Sequence, residues 1–193
     1  MNTKKIILAS SSPRRIKMLK DNGIDPIIIP PDVDETLPLE IKPHDAVLFL
    51  ALKKALQVEK VALKRKLIGQ IVISADTIVV FNNMIIGKPV NEEDACDILS
   101  RLNGQSHTVL TGVCLISVGT TKREVFYEST QVFFKTYSHE ELLEYIKTSE
   151  PYDKAGGYAI QGAFMKYIDR IDGSYNNVVG FPWERIEQHL RGF

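Results

Sequence analysis

The chain has 193 residues, 44% of them hydrophobic and 25% charged, which is the composition of an ordinary soluble globular protein and enough for one substantial core, in one domain or two lobes. Lys+Arg and Asp+Glu balance at 24 each, so no global field draws nucleic acid or a membrane surface, and any basic site must be local. Cys96 and Cys114 are too few for a disulfide framework and lack zinc-ligand spacing; no apolar run is long enough to span a membrane, and Met1-Asn2-Thr3-Lys4-Lys5 opens no signal pattern, so a cytoplasmic protein with reduced thiols is expected.

Lys5-Ile6-Ile7-Leu8-Ala9 is an apolar run of strand length. Beyond it Ile16, Met18, Leu19 and Ile24 are spaced for a helix that Gly23 ends, and Pro13 suits the first helical turn, where its missing N–H costs nothing. Ser10, Ser11 and Ser12 therefore sit on a strand-to-helix turn with free backbone N–H groups, and Arg14 and Arg15 are attached to it. Such a turn is either an anion site suited to phosphate or a plain βα connection with solvated arginines. It is not a P-loop, because G-x-x-x-x-G-K-[ST] is missing.

Ile27-Ile28-Ile29 reads as a buried strand bracketed by prolines, and the acidic loop Asp32-Val33-Asp34-Glu35-Thr36 follows it. Residues 44–66 form a long helix with an apolar stripe of Val47, Leu48, Leu50, Ala51, Ala55, Val58 and Ala62; Lys53 and Lys54 interrupt the edge of that stripe, where most lysines are solvated. Residues 71–81 are the most β-prone stretch and read as a central strand, with Asp76 an anomaly in its middle. A carboxylate there is costly unless paired, metal-bound or facing a cleft. Either the strand bulges or ends at Ala75 and backbone N–H groups satisfy Asp76, or the carboxylate is presented for function. Asn82-Asn83 makes a hairpin turn that returns through Met84-Ile85-Ile86 to Gly87-Lys88-Pro89, a stiff frame suited to a lysine facing phosphate.

Asn91 caps a helix that ends near Leu102, with Ala95, Ile98, Leu99 and Leu102 on its core face. Residues 106–118 and 123–137 are β-rich and joined by Gly119-Thr120-Thr121, most simply as an antiparallel pair. Ser138-His139-Glu140-Glu141 is a capping box opening a helix through Thr148. Residues 153–162 are too glycine-rich for a regular element, and the glycines suggest backbone that approaches something closely. Residues 166–171 read as a strand, Asp172-Gly173 as a turn, residues 175–179 as the returning strand, and Trp183, Ile186 and Leu190 as part of a last helix. His107, Tyr158 and Trp183 are read as structural.

Taken together, Leu8-Ala9-Ser10-Ser11-Ser12-Pro13-Arg14-Arg15, Ser74-Ala75-Asp76-Thr77, Gly87-Lys88-Pro89, Arg101 to His107, Asp153-Lys154-Ala155-Gly156, Tyr158 to Gly162, Asp172 to Tyr175 and Val179 to Pro182 resemble the Maf family over nearly the whole chain. The resemblance implies a single α/β domain similar to inosine triphosphate pyrophosphatases, with a long mixed sheet, flanking helices and a deep active-site groove between two lobes, and a homodimer. It also implies a nucleoside triphosphate pyrophosphatase that uses a divalent cation (Mg²⁺, Mn²⁺ or Co²⁺) to release a monophosphate and pyrophosphate. Within the family, Asp-Thr and Ile-Gln-Gly mark the branch acting on dTTP and UTP, matched here by Asp76-Thr77 and Ile160-Gln161-Gly162. A glutamine amide can donate and accept toward a uracil or thymine edge. The family's Gly-x-Gly after that glutamine is replaced by Gly162-Ala163-Phe164-Met165, which bears on the flexibility of the loop over the base.

Carried onto this chain, the resemblance assigns Arg14 and Arg15, with Ser10 and Ser12, to the triphosphate, and ties Arg14, Thr77 and Gln161 to substrate choice. It assigns Lys54 and Lys88 to charge on the leaving pyrophosphate, Glu35 to the metal, and Asp76 to a general base or a second metal ligand. Asp34 is the adjacent alternative to Glu35, and Asp153 with Lys154 either brace the glycine loop as a pair or act in the site. The rival of another class is a non-catalytic nucleotide-sensing regulator of septum formation acting through a cell-division partner; a nucleic-acid or membrane partner is not expected.

Overall fold

The computed structural model describes residues 5–193; the tetrapeptide 1–4, which begins the stretch read above as carrying no signal pattern, lies outside the described residues. Strands are β1 (Ile6–Ala9), β2 (Ile27–Ile28), β3 (Ile71–Phe81), β4 (Met84–Ile86), β5 (Ser106–Ser117), β6 (Arg123–Phe134) and β7 (Ile168–Asp172). Helices are α1 (Pro13–Asp21), α2 (Pro43–Lys64), α3 (Glu92–Leu102), α4 (His139–Ile146), α5 (Tyr175–Val179) and α6 (Trp183–Leu190). The seven strands form one mixed sheet in the order β2-β1-β3-β5-β6-β7, with β4 also paired to β3. β1 is parallel to β2 and β3, while β4 and β7 run antiparallel to β3 and β6. Among the described residues no helix is long and apolar enough to cross a membrane.

The chain divides into two compact units. The first holds Met1–Asp76, Thr111–Glu128 and Gly180–Phe193, and the second Thr77–Leu110 and Ser129–Val179, so β3, β5 and β6 each contribute to both.

In the first unit the two-residue period of a strand decides what each residue meets. Ile71, Ile73 and Ala75 pack with Leu19, Phe181, Trp183 and Ile186 on the face covered by α1 and α6. Val72 shares the opposite face with Ala51, Ala55, Val58 and Ala62 of α2. Ser74 and Asp76 continue that second register and so face α2. Gly112 lets α2 approach β5 closely, since a Cβ there would lie 2.3 Å from the Val47 carbonyl oxygen. The predicted stripe on α2 is buried except for Leu48, which is half-buried.

The second unit is built around Val79, Ile86, the buried face of α3, Leu142 and Ile146 of α4, and an aromatic group of Phe134, Tyr137, Tyr145, Tyr158, Phe164 and Tyr167. Both predicted caps are formed: Asn91 accepts from the Asp94 N–H at 2.8 Å, and Ser138 and Glu141 exchange backbone-to-side-chain bonds at 3.2 and 2.9 Å. Asn82 and Asn83 carry φ of 49° and 62°, as a two-residue hairpin turn requires.

Three expectations are corrected. β2 is only two residues long and lies at the edge of the sheet, with Ile28 41% exposed, because the flanking prolines shorten it. Residues 175–179 form helix α5 rather than a returning strand: Ser174 accepts from the Asn177 N–H at 3.2 Å, and the buried Asn177 amide donates to the Val109 carbonyl and the Thr130 hydroxyl. That network binds α5 in place, and β7 pairs with β6 instead. The glycine-rich stretch, read as having no regular element, forms short 3-10 turns, while the close approach its glycines suggested is made by Gly156 against Val79 of the protein's own core.

Candidate active site

β1 ends at Ala9, and Ser10 turns the chain into α1, where Pro13 occupies the first turn. The Ser10 hydroxyl accepts from the Ser12 N–H at 3.1 Å, while the Ser12 side chain makes no capping bond. Arg15 reaches back across the strand ends. Its Nη1 donates to the Ala75 carbonyl at 2.7 Å and lies 3.4 Å from Ser10 Oγ, and its Nε donates to the Gly180 carbonyl at 2.9 Å. Burial pulls the guanidinium below arginine's ordinary range, the neighbouring Asp76 and Glu35 carboxylates oppose that pull, and Arg14 adds to it. The turn is therefore a concentrated positive region backed by backbone N–H groups.

One residue beyond Ala75, β3 continues through Asp76, which is 7% exposed, so the strand does not end at Ala75. Lys54 of α2 is equally withdrawn at 8% exposed, so it is not the solvated helix lysine its stripe-edge position suggested. Its Nζ donates to Asp76 Oδ1 at 2.6 Å and lies 3.0 Å from Glu35 Oε1. Three charges from the acidic loop, α2 and β3 thus meet at one point. One turn earlier on α2, the Ala51 carbonyl accepts from Ser74 Oγ at 2.6 Å, which locks the helix to the strand beside the charged contact. Asp34 is turned elsewhere: it accepts from the Thr36 N–H and hydroxyl at 2.9 and 2.6 Å, and those bonds hold its carboxyl below the usual range.

Asp76 and Glu35, brought together on the Lys54 ammonium through one oxygen each, are hard oxygen donors of the kind a divalent ion takes beside phosphate oxygens and water. They do not make an all-protein cage, since no cluster of three or more His, Cys, Asp or Glu suited to a metal occurs among the described residues.

The remaining predicted residues, apart from Trp183, belong to the second unit. Thr77 follows Asp76 in β3 and is half-buried. Lys88 is exposed between Gly87, whose carbonyl accepts from the Gly156 N–H at 2.9 Å, and the buried Pro89. Gln161 is exposed in a turn closed by the Gly162 N–H to the Ala159 carbonyl at 3.2 Å. Asp153 and Lys154 form an ion pair. His107 and Tyr158 bond to each other at 2.6 Å inside the core, and Trp183 is buried beside Phe181.

Sequence reasoning missed Ser74 and Gly180. Ser74 carries a signal in retrospect, being the polar residue two before Asp76 on the same strand face. Gly180 carries none, since only folding brings its carbonyl to an arginine 165 positions away.

The profile of the family described as Maf-like protein matches residues 5–193. The chain is 46% identical over 188 residues to a dTTP/UTP pyrophosphatase of Caldicellulosiruptor bescii, and 44% identical over 188 residues to one of Caldicellulosiruptor saccharolyticus, each alignment covering 97% of this chain and 94% of the relative. In fold it is similar to the Staphylococcus aureus Ham1 protein, with a TM-score of 0.51 and 14% identity over 98% of this chain and 99% of that one. The chain belongs to the Maf-like protein family.

Proposed function

We propose that this chain is a pyrimidine nucleoside triphosphate pyrophosphatase, hydrolysing the α–β phosphoanhydride of dTTP and UTP to the monophosphate and pyrophosphate. The observation that carries this reading is the contact of Asp76 and Glu35 on Lys54, one residue from the peptide held by Arg15. It joins an anion-binding turn to a buried carboxylate, the two components that hydrolysis of a polyphosphate needs. The relatives named as dTTP/UTP pyrophosphatases support the same substrates.

In this mechanism Arg14 and the backbone around Ser10 and Ser12 cradle the triphosphate. Arg15 fixes the turn and the peptide before Asp76 while its charge faces the same anion. Asp76 orients the attacking water and accepts its proton. Lys54 holds Glu35 and Asp76 together, and Lys88 neutralises charge on the departing pyrophosphate. Glu35 and Asp76 are the residues that would hold Mg²⁺, Mn²⁺ or Co²⁺, which when bound polarises the phosphoryl oxygens as a Lewis acid. Thr77 and Gln161 select the base, the Gln161 amide matching the donor and acceptor of a uracil or thymine edge.

The test is pyrophosphate release from a panel of dTTP, UTP, CTP, GTP and 7-methyl-GTP with each metal, beside the variant Asp76→Asn. Selective turnover of dTTP and UTP is expected, together with loss of turnover but retained nucleotide binding in the variant. An active Asp76→Asn removes the assigned base, and tight binding without release by the unaltered protein points to the sensor instead.

A further inference from the structure

Gln161 is exposed, yet the loop that carries it is anchored on both sides. Ile160 and Phe164 are buried, Phe164 among the aromatic rings of the second unit. Beneath the turn lies the carboxylate of Glu150. Its Oε2 accepts from the Ala163 N–H at 3.0 Å, and its Oε1 accepts from the Tyr145 hydroxyl at 3.2 Å. The Tyr145 hydroxyl is also 3.1 Å from the Gly157 carbonyl, and the Lys154 ammonium donates to the Glu150 carbonyl at 2.9 Å. Gly162 makes this arrangement possible, because a Cβ there would lie 1.8 Å from Glu150 Oε1 and 2.4 Å from its Cδ. The glycine after Gln161 is therefore explained by the carboxylate that occupies the space of its missing side chain. Ala163, the middle position of the family's Gly-x-Gly, supplies the backbone N–H that Glu150 accepts.

We propose that Glu150 is the positioning residue for base selection. It latches the turn so that Gln161 is presented in one orientation, and it does so without touching the nucleotide. The inference rests on the reading of Gln161 given above. A hydrogen-bonding side chain discriminates between bases only when its orientation is fixed, because a free amide rotates to suit a carbonyl or an amine alike. dTTP and UTP present a carbonyl where CTP presents an amino group, so the ratio of kcat/KM for UTP over CTP reports that orientation.

The experiment compares this ratio in the full-length protein and in Gln161→Ala, Glu150→Ala, Glu150→Gln and Tyr145→Phe, with melting curves identifying the folded variants. Gln161→Ala should bring the ratio near unity. Glu150→Ala should lower it by about ten-fold, chiefly through KM for UTP. Glu150→Gln should restore it, since the amide oxygen accepts from Ala163 and the amide nitrogen donates to the Tyr145 oxygen, whose own proton goes to Gly157. Tyr145→Phe, which removes one of the two bonds, should give a smaller loss. A folded Glu150→Ala, or Tyr145→Phe should the former not fold, that keeps the full ratio while Gln161→Ala loses it overturns the latch and leaves the Gln161 reading standing. A full ratio in Gln161→Ala removes that reading and the latch with it. A merely structural Glu150 would lower the melting temperature without moving the ratio, and that outcome also overturns the proposal.

Discussion

Replacing Lys54 by Met removes an ammonium while keeping a flexible apolar stem, and so tests the charged contact with little change in packing. Lys54 and Asp76 are both buried and 2.6 Å apart, whereas the side chain of Glu35 is 57% exposed. The Glu35 contact is therefore worth about 0–1 kcal/mol. Most of the cost lies in Asp76, left desolvated and unpaired, for which breaking a buried pair predicts about 3–5 kcal/mol. For a chain of this length that lowers Tm by about 6–20 °C. A second variant separates this from any general damage to α2. In Lys54→Met with Asp76→Leu neither member of the pair carries a charge, and most of the lost stability should return, because a well-packed apolar pair replaces a buried ion pair at little net cost. Urea unfolding and calorimetry of both variants measure the difference. A loss under about 1 kcal/mol in the single variant would place the contact with ordinary surface pairs and refute the argument. So would a double variant no more stable than the single one.

The buried His107 makes stability pH-dependent. Burial lowers its pKa to about 3, against about 6.5 in the unfolded chain, so the ring contributes no pH dependence above about 6.5. Below that value the unfolded state takes up a proton that the native ring refuses, and stability falls by about 1.4 kcal/mol per pH unit until about 3, or about 2 kcal/mol at pH 5. His107→Gln, which keeps a partner for Tyr158, should flatten the unfolding free energy between pH 6.5 and 4 relative to the parent; an unchanged acid slope would contradict it. Gly112→Ala should cost about 1–3 kcal/mol, since its Cβ would meet the Val47 carbonyl at 2.3 Å and α2 must move away from β5. Because α2 carries Lys54, pyrophosphate release should fall in the folded variant too; parental Tm and kcat together would show that the helix does not depend on this approach.

Much of the local structure was readable because its causes are local. The Asn91 and Ser138 caps, Pro13 at a helix start, the Asn82-Asn83 turn and the period of 3.6 along α2 are properties of a few consecutive residues. The anomaly of Asp76 was equally visible, because a carboxylate within an apolar run demands a partner whatever the fold. Which partner was a different matter. The lysine 22 positions earlier looked like any stripe-edge lysine, and only the packing of α2 on β3, with Ser74 bonded to Ala51, turns it inward. Residues 175–179 were misread for the same reason: their β-prone ending lost to bonds from Asn177 to Val109 and Thr130, which no window of sequence contains. The glycines of the 153–162 stretch announced close approach without naming the neighbour, which proved to be Val79 for Gly156 and Glu150 for Gly162. The amino-acid sequence by itself thus determined the caps, the hairpin turn and the helical period, and which residues needed an explanation. The tertiary structure decided their partners, because desolvation and hydrogen bonding depend on distance in space, and distance between remote residues is set only when the cores close.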